Sequence, residues 1–191
     1  MYVMLALMIK SARRLLLALL CALPVASWAT DDVLTAAIKK INGNVVFMRH
    51  AIAPGYGDPD NFKIGDCSTQ RNLHDTGRSQ ARAIGKALSQ SRTQFAEIFS
   101  SEWCRCQETT ALLGLGKWST FEGLNSFFQG YADADATIPK LQKKLATLKP
   151  GVTLMVSHQV VISRITGVSP SSGGLVVYNT QTKQATRVTL N

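Results

Sequence analysis

Histidine and cysteine are scarce in this 191-residue chain, at three and four residues, and their placement excludes as much as their number. Cys104 and Cys106 form a Cys-x-Cys unit with no second pair, which lacks the spacing of a zinc site, so no metal is expected. Acidic residues are few, 12 against 21 basic ones, and the formal charge of +9 favours anionic partners. No linker, repeat or low-complexity tract divides the sequence. The apolar run near the start, Leu15 to Leu23, is too short for a membrane span.

That run fits another role. Lys10, Arg13 and Arg14 precede it, Pro24 follows, and Ser27-Trp28-Ala29 offers small residues at a cleavage site, so residues 1–29 read as a secretory signal peptide cut after Ala29, with an uncleaved anchor as the alternative. Residues 30–191 then form one domain of ordinary length, periplasmic or secreted, without stable membrane insertion after cleavage. Without the three basic residues of the leader the charge of +9 falls to +6. Lys140, Lys143, Lys144 and Lys149 read as the solvated face of a helix. Three cysteines remain, Cys67, Cys104 and Cys106, an odd number for an oxidising compartment; one internal disulfide can form, joining Cys67 to Cys104 or to Cys106.

Strand and helix signals alternate along residues 30–191. A short helix at Asp32–Ile41 leads through Asn42-Gly43-Asn44 into an apolar strand ending at Arg49. From Ala51 to Asn72, Gly, Pro, Asp and Asn predominate, which predicts a long ordered loop of functional kind. Asp75 or Thr76 is expected to cap a helix to about Ser91, on which Arg78 and Arg82 face solvent. Phe95–Phe99 is a second strand, with Ser100-Ser101 as cap of a helix that carries Arg105 to Leu113 and stops at Gly114. The stretch Phe121–Phe128 has no clear class. Ile138–Leu148 reads as an amphipathic helix, Thr153–Val156 as a strand, Val160–Thr166 as a helix, and Leu175–Tyr178 with Ala185–Leu190 as a terminal hairpin. This order favours an α/β fold, a three-layer α/β/α sandwich with a mostly parallel central sheet.

Two of the three histidines, His50 and His158, stand just past a predicted strand, at the sheet end where α/β proteins bind ligands. Arg49 precedes the first, and Arg105 falls in the first turn of a helix, where unpaired N–H groups and the dipole favour an anion. A transferring phosphoryl group needs fixed positive donors around its equatorial oxygens. Arg49, Arg105 and His158 can supply them. His50 can supply the nucleophile if its second nitrogen keeps a proton on a backbone carbonyl.

Four blocks carry a more specific signal: Arg49-His50; Arg71-Asn-Leu-His-Asp-Thr-Gly77; Ser100-Ser-Glu-Trp-Cys-Arg105 with Thr109; and Ser157-His158. In type and order they resemble the histidine phosphatase superfamily, the phosphoglycerate mutase-like group. The resemblance implies a phosphoglycerate mutase-like fold, a phosphorylated nucleophile at His50, and phosphoryl binding by Arg49, Arg105 and His158, without a cofactor. Arg71 matches an arginine of the small phosphohistidine phosphatases and is expected to add a substrate contact. The segment Asp66 to Leu73 is similar to lipopolysaccharide core heptose phosphatases, which implies a phosphorylated small molecule or envelope glycan as partner and no nucleic acid.

The pattern departs from the family in three places. Ala51 replaces the glycine after Arg-His. Ser126 follows Leu124-Asn125 where the mutase branch has glutamate, and Gln159 follows His158 where the acid phosphatase branch has aspartate. The proton donor therefore has to come from elsewhere, with Glu122 and Asp133 as candidates and Asp58 and Asp66 behind them. Without a donor, substrates with easily departing groups are favoured. The expectation is an exported phosphatase acting through a phosphohistidine; a phosphohistidine phosphatase and a catalytically weak or silent phosphate-binding module are the alternatives. His74 is expected to be structural, and Trp103 to line the pocket or fill the core.

Overall fold

The computed structural model describes residues 32–190; the expected leader, residues 1–29, lies outside them. In chain order the elements are α1 (Val33–Ile41), β1 (Val45–Arg49), α2 (Asp75–Gln90), β2 (Phe95–Ser100), α3 (Cys104–Leu113), β3 (Ser119–Thr120), α4 (Ala134–Ala146), β4 (Val152–Ser157), α5 (Gln159–Thr166), β5 (Leu175–Tyr178) and β6 (Ala185–Val188). Six strands form one sheet in the order β3-β2-β4-β1-β5-β6. The first four are parallel, and β5 and β6 add an antiparallel edge.

Alternation along β1 builds two cores. Val46 and Met48 face one side, where Leu34 of α1, Leu88 of α2 and Trp103, Cys106 and Leu113 beside and within α3 meet Leu154 and Val156. Val45 and Phe47 face the other, against Leu141 and Leu145 of α4 and Val161 and Ile162 of α5. Successive side chains of a strand point to opposite faces, so a strand buried on both sides reads as a continuous apolar run. The result is the expected three-layer sandwich.

The register of this sheet positions the site. Arg49 of β1 lies beside Ser157 of β4, and Ser100 of β2 beside Val156. The backbone N–H of His50 donates to Ser157 O at 2.9 Å. His50, His158 and the segment leading to Arg105 therefore leave the sheet side by side at its carboxyl edge.

Several boundaries differ from expectation for local reasons. The cap of α2 is His74, with Asp75 already in the first turn. Helix α3 starts after Trp103 rather than at Ser100-Ser101, because the Ser101 hydroxyl is engaged with Asn125 and His158. Helix α4 begins four residues before Ile138: Asp133 caps it by accepting from Asp135 N–H, and Pro139 is accommodated inside it. Phe121–Phe128 is resolved as short 3-10 turns, Glu122–Leu124 and the start of Phe128–Gly130. Strand β6 ends at Val188 rather than Leu190. Arg78 does not simply face solvent. It bonds Glu108 of α3 at 2.6 Å and Asp75 at 2.9 Å. These helices also touch by backbone, since a Cβ at Gly85 would stand 2.1 Å from Leu113 O.

Candidate active site

His50 is 3% exposed, and its ring is fixed by a bond between Nδ1 and the carbonyl of Ala51, 2.8 Å away. A carbonyl can only accept, so Nδ1 carries the proton and Nε2 keeps its lone pair. Arg105 Nε donates to that lone pair at 3.2 Å. Burial, then the charges of Arg105, Arg71 and Arg49, push the imidazole pKa down to about 3 against the opposing Ala51 bond. The ring is neutral at physiological pH, the state in which it can attack. Ala51 itself is fully buried without adopting a positive φ, so the missing glycine imposes no backbone strain. Its N–H donates to Thr109 Oγ1 at 3.0 Å, and that hydroxyl donates to Arg105 O at 2.6 Å, tying β1 to α3.

Arg105 is equally buried. Asp58 grips it with both oxygens, at 2.7 and 3.1 Å. Asp58 also accepts from Trp103 Nε1 at 3.0 Å and from the backbone N–H of Arg71 at 3.0 Å. Burial opposes ionisation of this carboxyl, but the Arg105 contacts and the other two donors outweigh it and hold its pKa below the usual range. A charged fork held this way keeps a set direction, which suits it to an anion.

Arg71 reaches the same cavity by another route. Its Nε donates to Gly57 O at 2.7 Å and its Nη1 to Ala53 O, which leaves Nη2 without a partner among the described residues. Arg49 donates through Nη1 to Gln159 Oε1 at 2.7 Å and to Pro170 O at 3.2 Å. Its Nε is buried and has no hydrogen-bond partner among the described residues. An unmet buried donor costs about 1–3 kcal/mol, and a ligand oxygen would relieve that cost.

His158 stands across from His50, ring centroids 5.4 Å apart. Arg105 Nη2 lies 3.4 Å from its Nδ1, and Ser101 Oγ 2.9 Å from its Nε2. With Nδ1 accepting from arginine, Nε2–H donates to Ser101, whose hydroxyl donates to Asn125 Oδ1 at 3.0 Å; Asn125 Nδ2 in turn donates to Glu102 Oε2 at 2.6 Å. Burial, then Arg105, moves the His158 pKa well below its ordinary value. The Cys106 thiol, 3.4 Å from Nε2, is pushed up to about 12 by burial and stays protonated. Cys67 pairs with Cys104, so the disulfide fastens the loop after β1 to the residue before Arg105.

The structure thus gathers Arg49, His50, Arg71, Arg105 and His158 around one cavity of about 340 Å³. It does not bring Glu122 or Asp133 there. Glu122 is exposed and pairs with Lys140 at 2.6 Å, while Asp133 is exposed and occupied as the α4 cap. Asp66 is exposed and caps its own turn through Ser68. Asp58 is near but committed to Arg105. The cavity lining includes Ser126 and Gln159 and, among the described residues, no carboxylate. Trp103 is fully buried, stacked on Phe62 at 4.9 Å, and stands behind the lining. His74 is exposed. Among the described residues no three His, Cys, Asp or Glu side chains converge as a metal site, and no helix is long and apolar enough to cross a membrane.

Sequence reasoning missed three supports: the Asp58 clamp, the Ser101-Asn125 chain and the Gln159 contact to Arg49. Gln159 carried a signal in its position directly after His158, and Ser101 and Asn125 in the motifs around them, but not the contacts they make.

The family model for the histidine phosphatase superfamily, branch 1, matches residues 45–130. No curated protein gives a significant sequence match. Solved structures share the fold at low identity. The protein histidine phosphatase SixA, solved with tungstate, is 16% identical, with a TM-score of 0.50 over 76% of this chain and 94% of its own. A candidate α-ribazole-5′-phosphate phosphatase from Escherichia coli is 17% identical, with a TM-score of 0.56 over 77% and 95%. A candidate phosphohistidine phosphatase SixA from Agrobacterium tumefaciens is 16% identical, with a TM-score of 0.51 over 76% and 94%.

Proposed function

We propose that this chain, which belongs to the histidine phosphatase superfamily, is an exported phosphatase that releases phosphate from a phosphorylated small molecule or envelope glycan by way of a phosphohistidine at His50. The observation that carries the reading is the His50 tautomer: Nδ1–H is fixed on Ala51 O, so Nε2 carries the lone pair, which Arg105 Nε–H holds at 3.2 Å and releases when a phosphoryl oxygen takes that donor. Nε2 attacks phosphorus as the bond to the leaving group breaks, and the leaving group departs with the electron pair. Arg49 Nε–H and Arg71 Nη2 donate to the equatorial oxygens, and the Nε–H and Nη2–H of Arg105 turn from the two imidazoles to those oxygens as the phosphoryl group enters, while His158 orients Arg105. Water then attacks the phosphohistidine, the P–N bond breaks, and phosphate and neutral His50 result.

The missing carboxylate shapes the substrate range. General acid help is typically worth a factor on the order of 10² to 10⁴ for a poor leaving group, so groups that depart without a proton are preferred: phosphohistidine, acyl phosphates or activated sugar phosphates. The likeness in fold to the protein histidine phosphatase SixA supports a phosphohistidine among these. Export is supported by the leader-like residues 1–29 and by the Cys67–Cys104 disulfide, a bond typical of oxidising compartments.

The test is to incubate residues 30–191 with acetyl phosphate or p-nitrophenyl phosphate, quench, and map acid-labile phosphate. The label is expected on His50, with turnover abolished in His50→Ala. Hydrolysis of an alkyl phosphate as fast as p-nitrophenyl phosphate would contradict the leaving-group preference. The carboxylate-free lining also favours a second reading, a phosphate-binding module without turnover. In that case His50→Ala keeps most of the affinity for phosphorylated ligands and wild type forms no covalent adduct.

A further inference from the structure

The cavity changes character from floor to mouth. His50, Arg105 and His158 at its floor are each 3% exposed, whereas Tyr56, which also lines it, is 87% exposed. The Tyr56 ring meets Phe128 edge-on, centroids 5.1 Å apart and planes at 89°, and Ala53 and Val160 complete an apolar rim. The segment that carries Tyr56 is braced at both ends. Arg71 holds Ala53 O and Gly57 O, Asp58 N–H donates to Gln129 Oε1 at 2.7 Å, and Tyr131 Oη donates to Pro59 O at 2.8 Å. A large ring left open on a braced loop does little for the fold, because burying it elsewhere would stabilise the chain.

In-line displacement fixes which part of a substrate reaches that ring. The nucleophile lies on the floor, so the leaving group lies on the opposite side of phosphorus, toward the mouth. We propose that Tyr56, braced by Phe128, is a specificity-determining residue that packs against the face of a ring in the leaving group. The substrate class is then a phosphoryl group carried on a ring with an apolar face, saturated as in a sugar or planar as in an imidazole. This deepens the phosphatase reading and rests on it for the direction of the leaving group.

Phosphonates, which are not hydrolysed, test the subsite without turnover. In calorimetric titrations the wild-type protein binds phenylphosphonate or cyclohexylphosphonate roughly 3- to 10-fold more tightly than methylphosphonate, the range expected for one ring contact. Tyr56→Ala brings that ratio to about one and leaves methylphosphonate affinity unchanged, and Tyr56→Phe retains the preference. A preference for cyclohexyl marks a saturated ring, one for phenyl a planar ring. The proposal is overturned by an equal ratio in wild type and Tyr56→Ala, by no ring preference in wild type, by loss of methylphosphonate binding in Tyr56→Ala, or by no phosphonate binding at all. Ring preference together with failure to label His50 would instead sink the phosphatase reading and leave the subsite standing.

Discussion

Asp58 and Arg105 form a two-pronged ion pair, 2.7 and 3.1 Å, with both side chains no more than 5% exposed. The carboxylate sits on the loop after β1 and the guanidinium in the first turn of α3. The pair thus fixes the direction of the one arginine that bonds His50 and also approaches His158. Removing one partner of a buried pair typically costs about 3–5 kcal/mol. Asp58→Ala is expected to lose that much in urea denaturation, and to lower kcat/KM on p-nitrophenyl phosphate by on the order of 10²-fold, as loss of an aligned donor does. Asp58→Asn, which keeps the shape, should recover part of the stability and little of the rate.

Acid should destabilise the empty protein earlier than its carboxylates alone would. His50 titrates at about 3 when folded and near its ordinary value of 6.5 when unfolded, and His158 is shifted in the same direction. Between these values the unfolded chain binds more protons, so stability is full above pH 6.5 and falls as pH drops. The His50 contribution lost by pH 5 is about 2 kcal/mol. Urea midpoints measured from pH 7 to 5 should fall more steeply for wild type than for His50→Gln.

The disulfide closes a loop of 37 residues, and in the chain-entropy account such a link is worth about 4 kcal/mol. Reduction, or Cys67→Ser, should lower the thermal midpoint and loosen the Asp58 loop. Cys106 is fully buried with its pKa near 12. The oxidised native protein should therefore react with no thiol reagent until it is unfolded, when one thiol from residues 30–191 appears.

Two glycines should resist even alanine. A Cβ at Gly77 would stand 2.0 Å from Ile52 O, and one at Gly85 2.1 Å from Leu113 O, both backbone atoms. Overpacking of this kind costs about 1–3 kcal/mol. The two variants should differ in activity, because Ile52 follows Ala51, whose carbonyl fixes the His50 ring. Gly77→Ala is expected to lower kcat/KM well below that of Gly85→Ala at a temperature where both are fully folded.

What could be read in advance follows from how local each feature is. Val45 to Met48 and Thr153 to Val156 are apolar runs that each end two positions before a histidine, so the placing of both imidazoles at the carboxyl end of the sheet could be inferred. Arg105 was legible from its place in a first turn. Asp58 was not, since it lies in a stretch without periodicity and meets Arg105 from 47 residues away in sequence. The disulfide choice was open because Cys104 and Cys106 are neighbours; on the helix they turn apart, one to the loop and the other to His158. Helix α4 starts before the Ile138 its apolar spacing suggests, because Asp133 provides the cap and the first turn begins at Ala134.

Strand β1, which delivers the nucleophile, is zipped on one side to Val152–Ser157 and on the other to Leu175–Tyr178. Both partners are synthesised more than a hundred residues after it, so the seat of His50 does not exist until Leu175–Tyr178 is present. Such distant pairings slow folding through the entropy of closing long loops. A ribosome-bound chain would hold no such seat until Leu175–Tyr178 has emerged.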